Sequence, residues 1–110
     1  MPSPRFDDDV ALAAAAGRGE PAARRELVTR ALDPTRRVVG YLLGGSADSD
    51  DVVQNALLQL LGAAGGFRGE CSIEYFATRI AIRTAMREIR GWRRRERPIG
   101  NEEGVGEGAP

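Results

Sequence analysis

A chain of 110 residues has the length of one small domain, and its 16 basic residues, all arginine, balance 16 acids to a formal net charge of zero. Hydrophobic residues are 42% of the total and aromatics only 5%, so the core must come from Ala, Leu, Val and Ile, a palette that suits packed helices better than a sheet sandwich. No apolar run approaches the ~18 residues of a membrane span, and the first residues, MPSPRFDDDV, lack signal-peptide order, so a cytoplasmic protein with no membrane partner is expected.

In chain order, DDDVALAAAAGRGE predicts a short helix with acids in its first turn, where the macrodipole favours them, closed by the Gly17 to Gly19 turn. PAARRELVTRALDPTRRVVGYLLGG predicts a packing helix starting near Pro21, with Pro34 kinking it or dividing it in two. SADSDDVVQNALLQLLGAAGG carries three competent N-caps, Ser46, Asp48 and Ser49. Its Val52, Val53, Ala56, Leu57, Leu60 and Leu61 form one apolar stripe. Gln54, Asn55, Leu58 and Gln59 lie off that stripe, and Leu58 there reads either as part of a protein-binding surface or as a partly covered surface leucine. Asp50 and Asp51 read as first-turn acids rather than as a catalytic pair.

Gly65-Gly66 ends that helix, and FRGEC leads into a last one of about 25 residues from Ser72, uninterrupted by proline until Pro98. From Pro98 the Gly- and Glu-rich text has almost nothing to bury, so residues 98–110 are expected to form a disordered acidic tail behind a helical domain at 1–97. The fold class expected is all-α, a compact bundle of three to four helices.

The chemistry-bearing residues exclude more than they suggest. One cysteine, Cys71, cannot form an internal disulfide, and the absence of histidine removes the common zinc sets, the usual general base and the Ser/His/Asp arrangement. The glycines form no phosphate-binding loop. No metal or cofactor is expected, and an enzyme is the weakest of the broad classes.

The zero net charge conceals an uneven layout. Residues 1–67 hold seven Arg against nine acids, residues 68–97 nine Arg against four, and the tail three Glu and no base. On a helical projection, Arg79, Arg83, Arg87, Arg90, Arg94 and Arg97 share an arc of about 80°. Ala81, Ile82, Ala85, Met86, Ile89 and Trp92 form a separate apolar face, and Ile73, Phe76, Ala77 and Ile80 point elsewhere, enclosing the first two turns. Like charges so arranged repel along the helix, and a polyanion would relieve them, so the stripe reads as a nucleic-acid surface, with a solvated face as the plain alternative.

DSDDVVQNALLQLL, then FRGECSIEYFATRIA, then a helix ending RGWRRRERP, together resemble region 2 of the extracytoplasmic-function group of bacterial RNA polymerase sigma factors, over roughly Asp8 to Arg97. The resemblance implies that Asp51, Gln54, Asn55 and Leu58 dock on the clamp helices of the polymerase core's largest subunit. It also implies that Ala63 and Phe67 line a pocket for a flipped base of the non-template minus-ten strand in promoter DNA, with Arg79 and Arg83 along the DNA-facing helix; Arg68 and, from the stripe itself, Arg87, Arg90 and Arg94 complete the expected DNA-binding set. An anti-sigma factor is a further implied partner.

Departures from the family pattern are Asn55 for the usual Glu, Tyr75 and Phe76 for Thr-Trp, Arg83 for a common Asn and Arg87 for a common acid. The family's second domain, which reads the minus-35 element, has no room in 110 residues. The chain therefore reads as an excised region 2 with the start of its linker or as a single-domain relative. Two rival functions stay open: a sigma-like protein-interaction module without initiation activity, and a polymerase-independent DNA-binding domain.

Overall fold

The computed structural model describes the backbone of residues 6–96 and the side chains of residues 6–92. Four helices follow one another: α1 (Asp7–Gly17), α2 (Pro21–Leu43), α3 (Ser49–Ala63) and α4 (Ile73–Glu96), with a single 3₁₀ turn, Ala64–Gly66, after α3. This is the all-α architecture expected, with no strand among the described residues. The side chain of Arg94, the boundary placed after Arg97 and the acidic tail fall outside what is described.

The apolar stripes of the helices meet in two layers. Nearer the chain's start, Ala13 and Ala16 of α1, Leu27 and Ala31 of α2, Leu60 of α3 and Ile73, Ala77 and Ile80 of α4 close around Phe67. The second layer joins Val39 and Leu43 of α2, Val52, Val53 and Ala56 of α3, and Ala81 and Ala85 of α4. Small residues dominate because helices approach most closely where side chains are short. Gly17 is the extreme case: a Cβ there would lie 2.9 Å from the Gly65 Cα, so α1 reaches the 3₁₀ turn only through a glycine.

One expectation about local structure is narrowed and another corrected. Pro34 does not divide α2, which runs unbroken over 23 residues. Proline removes one backbone donor and crowds the preceding turn. Here Leu27 and Ala31 before it and Thr35 and Val39 after it are all buried, so core packing on both sides holds the helix through that defect. None of the three proposed caps of α3 bonds through its side chain either: Asp48 is the N-cap residue but sits at φ −83°, ψ −4°, helical rather than extended. A capping side chain needs the extended geometry to reach the free N–H groups. The Ser46 and Ser49 hydroxyl oxygens are instead buried without a hydrogen-bond partner among the described residues, and the backbone closes the turn, Ser49 N–H to Ser46 C=O at 3.0 Å.

Candidate nucleic-acid interface

The connection between α3 and α4 is built by one backbone choice. Gly69 is buried with φ +77°, a left-handed conformation that a side chain would strain, and it turns the chain from Phe67 into α4. The Ser72 hydroxyl then accepts the Tyr75 N–H at 3.1 Å, capping α4. A second cap comes from far away in sequence: the Asp9 carboxylate on α1 accepts the Ile73 N–H at 2.9 Å.

Asp9 is buried, and its other oxygen pairs with Arg30 at 2.9 Å. Arg30 also meets Glu74 in a two-pronged contact, Nε to Oε2 at 3.0 Å and Nη2 to Oε1 at 3.2 Å. One guanidinium on α2 thus ties α1 to the first turn of α4. Burial pulls the Arg30 pKa down, but hydrogen bonds to Glu74 and Asp9, and then their charges, raise it above the ordinary arginine value. A cation with a raised pKa contributes stability that disappears only as pH climbs through that value, so the guanidinium stays charged across any ordinary working range. The sequence offered Asp9 only as a first-turn acid; its pairing with Ile73 spans 64 positions and has no local signal.

With α4 fixed in this way, a cleft of about 300 Å³ opens beside the connection, walled by Phe67, Phe76 and Tyr75 and rimmed by Arg68, Glu70, Cys71 and Arg79. That volume is at the lower end of small-molecule sites, which run from ~300 to 1,000 Å³. Phe67 is 7% exposed and forms the floor, its ring 5.0 Å from that of Phe76 at 60°. Tyr75 is the opposite, 57% exposed at the mouth. Of the two residues expected to line a base pocket, Phe67 lines the cleft and Ala63 is half-buried and packs against the first core layer instead; Arg68 and Arg79, expected to contact DNA, also line the cleft. Tyr75, Phe76 and Glu70 were not singled out from the sequence as site residues, although the aromatic pair stands where the family pattern has Thr-Trp.

Arg79, Arg83, Arg87 and Arg90 are all exposed along α4. Arg87 donates to the Gln59 side-chain oxygen on α3 at 3.0 Å, whereas Arg79, Arg83 and Arg90 make no ion pair with another described residue. The apolar face of α4 is narrower than expected. Ala81 and Ala85 are buried, but Ile82 and Met86 are each 39% exposed. They point toward the arginine side of the projection, past the reach of α2 and α3. Together with Arg83, Arg87 and Arg90 they bound a shallow groove of about 220 Å³.

The outer face of α3 carries Asp51, Gln54, Asn55, Leu58 and Gln59, all exposed, with Leu58 at 58%. Val52, Val53, Ala56 and Leu60 on the opposite face are buried. A polar helix face with one large apolar side chain at its centre suits a protein contact. Among the described residues no group of three His, Cys, Asp or Glu could hold a metal, and no helix is long and apolar enough to cross a membrane.

The described residues thus form an all-helical domain with an aromatic cleft, an arginine-lined helix and a separate exposed helix face. The family model for Sigma-70 region 2 matches residues 27–96, and the chain belongs to that family. It is 35% identical over 100 residues to "ECF RNA polymerase sigma factor SigG" of Mycobacterium tuberculosis, in both strain CDC 1551 / Oshkosh and strain H37Rv, covering 87% of this chain. The chain spans 27% of the length of those relatives. No solved structure matches it. Helix α1 and the first six residues of α2 precede the family match, although Asp9, Ala13 and Ala16 are built into the fold.

Proposed function

We propose that the chain is the polymerase-docking and promoter-opening domain of a sigma factor, acting in the cytoplasm and catalysing no reaction itself. The cleft beside Phe67 takes one unstacked base of the non-template minus-ten strand. Arg79, Arg83 and Arg90 follow the phosphates of the same strand, and Asp51, Gln54, Asn55 and Leu58 on α3 meet the clamp helices of the polymerase core. The observation that carries this reading is the joining of two features on one helix: Arg79 rims the aromatic cleft and also begins the exposed arginine row. A base can stack on Tyr75 and expose its edge to Glu70 and Arg79 only after leaving the duplex, so binding favours opened DNA.

Selection from randomised single-stranded and duplex DNA pools tests it. A short common motif should emerge from the single-stranded pool, with no comparable enrichment from the duplex pool. Equal retention of any duplex would leave only a phosphate clamp. A pull-down with bacterial polymerase core tests docking in parallel; the exposed Leu58 predicts retention, and none would favour an interaction module for another protein.

A further inference from the structure

Two large apolar side chains, Ile82 and Met86, stand exposed on α4 one turn apart. They floor the shallow groove whose rim is Arg83, Arg87 and Arg90. Phosphates alone would satisfy that rim and leave the floor in water. A nucleotide complements both parts, because each charged phosphate comes with a flat base whose face is largely apolar. Isoleucine and methionine are among the side chains that lie against bases and unstack them, and the soft methionine sulfur favours contact with a ring.

We propose that this groove is a second nucleobase site, in which one base of a single strand lies face-on over Ile82 and Met86 while its flanking phosphates pair with Arg83 and Arg90. The inference rests on the reading of α4 as the path of a single strand. Arg87 is held by Gln59 at 3.0 Å, which fixes the rim on the side of α3. The groove continues the cleft: Arg79 rims the one and Met86 floors the other, a separation of about 10 Å along a helix. That is about three nucleotide steps at the duplex spacing of ~3.4 Å, and fewer in a stretched strand. The local charge favours a polyanion, with nine Arg against four Glu in residues 68–97. An apolar floor reads no base edge, so this site accepts any base, and selectivity stays with the cleft, where Arg68, Glu70 and Arg79 offer polar groups. Its contribution is to affinity and to holding the strand unstacked.

The test uses the full chain and a mixed-sequence single strand of about eight nucleotides, a length within the usual span of single-strand sites. An abasic strand with the same number of phosphates is the control. On saturation with the base-bearing strand, the ring currents of a stacked base should move the Ile82 and Met86 methyl signals upfield, and Val39, sealed in the second core layer, should stay in place. The abasic strand should not produce that shift. Ile82→Gln with Met86→Gln should weaken the base-bearing strand about fivefold, the lower end of one stacking contact, and leave both the abasic strand and the salt slope unchanged, since no charge is altered. Tyr75 reports the cleft separately: its ring signals moving while the two methyls stay still overturns the groove site alone, and the reverse overturns base capture in the cleft alone. An abasic strand that shifts the methyls equally also overturns the groove site. So does a double substitution that weakens both strands alike, or a Glu- and Leu-rich peptide that shifts the methyls and is not displaced by the strand, which would make the groove a protein contact.

Discussion

Asp9 illustrates what a single side chain can do for a site it never touches. Its carboxylate caps the first N–H of α4 and grips Arg30, so it sets where the helix that walls the cleft begins. Asp9→Ala removes a buried cap and half the partners of a partly buried guanidinium, and unfolding should become easier by about 2 kcal/mol. Asp9→Asn keeps an acceptor for Ile73 but not the charge, and about half that loss is expected, both read by denaturant titration. The aromatic residues separate along a different line. Tyr75→Ala should scarcely change stability, because the ring is 57% exposed, yet single-stranded DNA affinity should fall by ~1–3 kcal/mol for the stacking contact. Phe67→Ala empties a buried site and should cost about 3 kcal/mol of stability, so its binding defect would report folding as much as recognition. If Tyr75→Ala binds single strands like the parent chain, Tyr75 is no stacking platform. At this scale the sequence was least informative. The resemblance pointed to Phe67 and Arg79, but the Asp9 cap and the exposure of Tyr75 depend on contacts between segments distant in the chain.

Whole elements were far more legible, because helix boundaries are written in local chemistry. Acids at Asp7 to Asp9, Pro21 at the start of α2, the Gly65-Gly66 stop and Ser72 before α4 all mark ends where the chain does turn. Reading failed at the Ser46 to Ser49 turn, where no side chain caps α3, and at Pro34 only the division of the helix is excluded. The glycines give a test that separates local propensity from tertiary packing. Gly40 and Gly62 lie inside α2 and α3 with nothing within 4 Å of an added Cβ, so alanine there should stabilise by ~0.5–1 kcal/mol through helix propensity. Gly17 is also helical, yet its Cβ would press on the Gly65 backbone at 2.9 Å. Gly17→Ala should therefore destabilise by about 1–3 kcal/mol, overpacking outweighing propensity. Thermal unfolding of the three variants decides it, and a stabilised Gly17→Ala would show that α1 can move off the turn at little cost. On α3, Leu58→Asp should leave the melting temperature nearly unchanged while weakening retention by polymerase core, since the side chain supports no internal contact that solvent cannot replace.

For the molecule as a whole, the consequential property is a charge distribution that its total conceals. A neutral chain gains little long-range attraction to DNA from its net charge, so binding must come from the local field of α4. Counterion release gives that field a measurable signature: for single strands, log affinity falls with log salt at a slope of about −0.7 per phosphate neutralised. Contacts by Arg79, Arg83 and Arg90 then predict a slope near −2 between about 50 and 200 mM salt. Arg83→Ala and Arg90→Ala should each flatten it by about 0.7 and weaken all single-stranded sequences alike. Tyr75→Ala should lower affinity without changing the slope, because stacking releases no counterions. Arg87→Ala should flatten it less, as its guanidinium is already engaged by Gln59. Fluorescence anisotropy on one labelled oligonucleotide across the salt series distinguishes these outcomes. A slope that survives the loss of both Arg83 and Arg90 would move the phosphate path off α4, and would separate the cleft from the arginine row that the fold joins to it at Arg79.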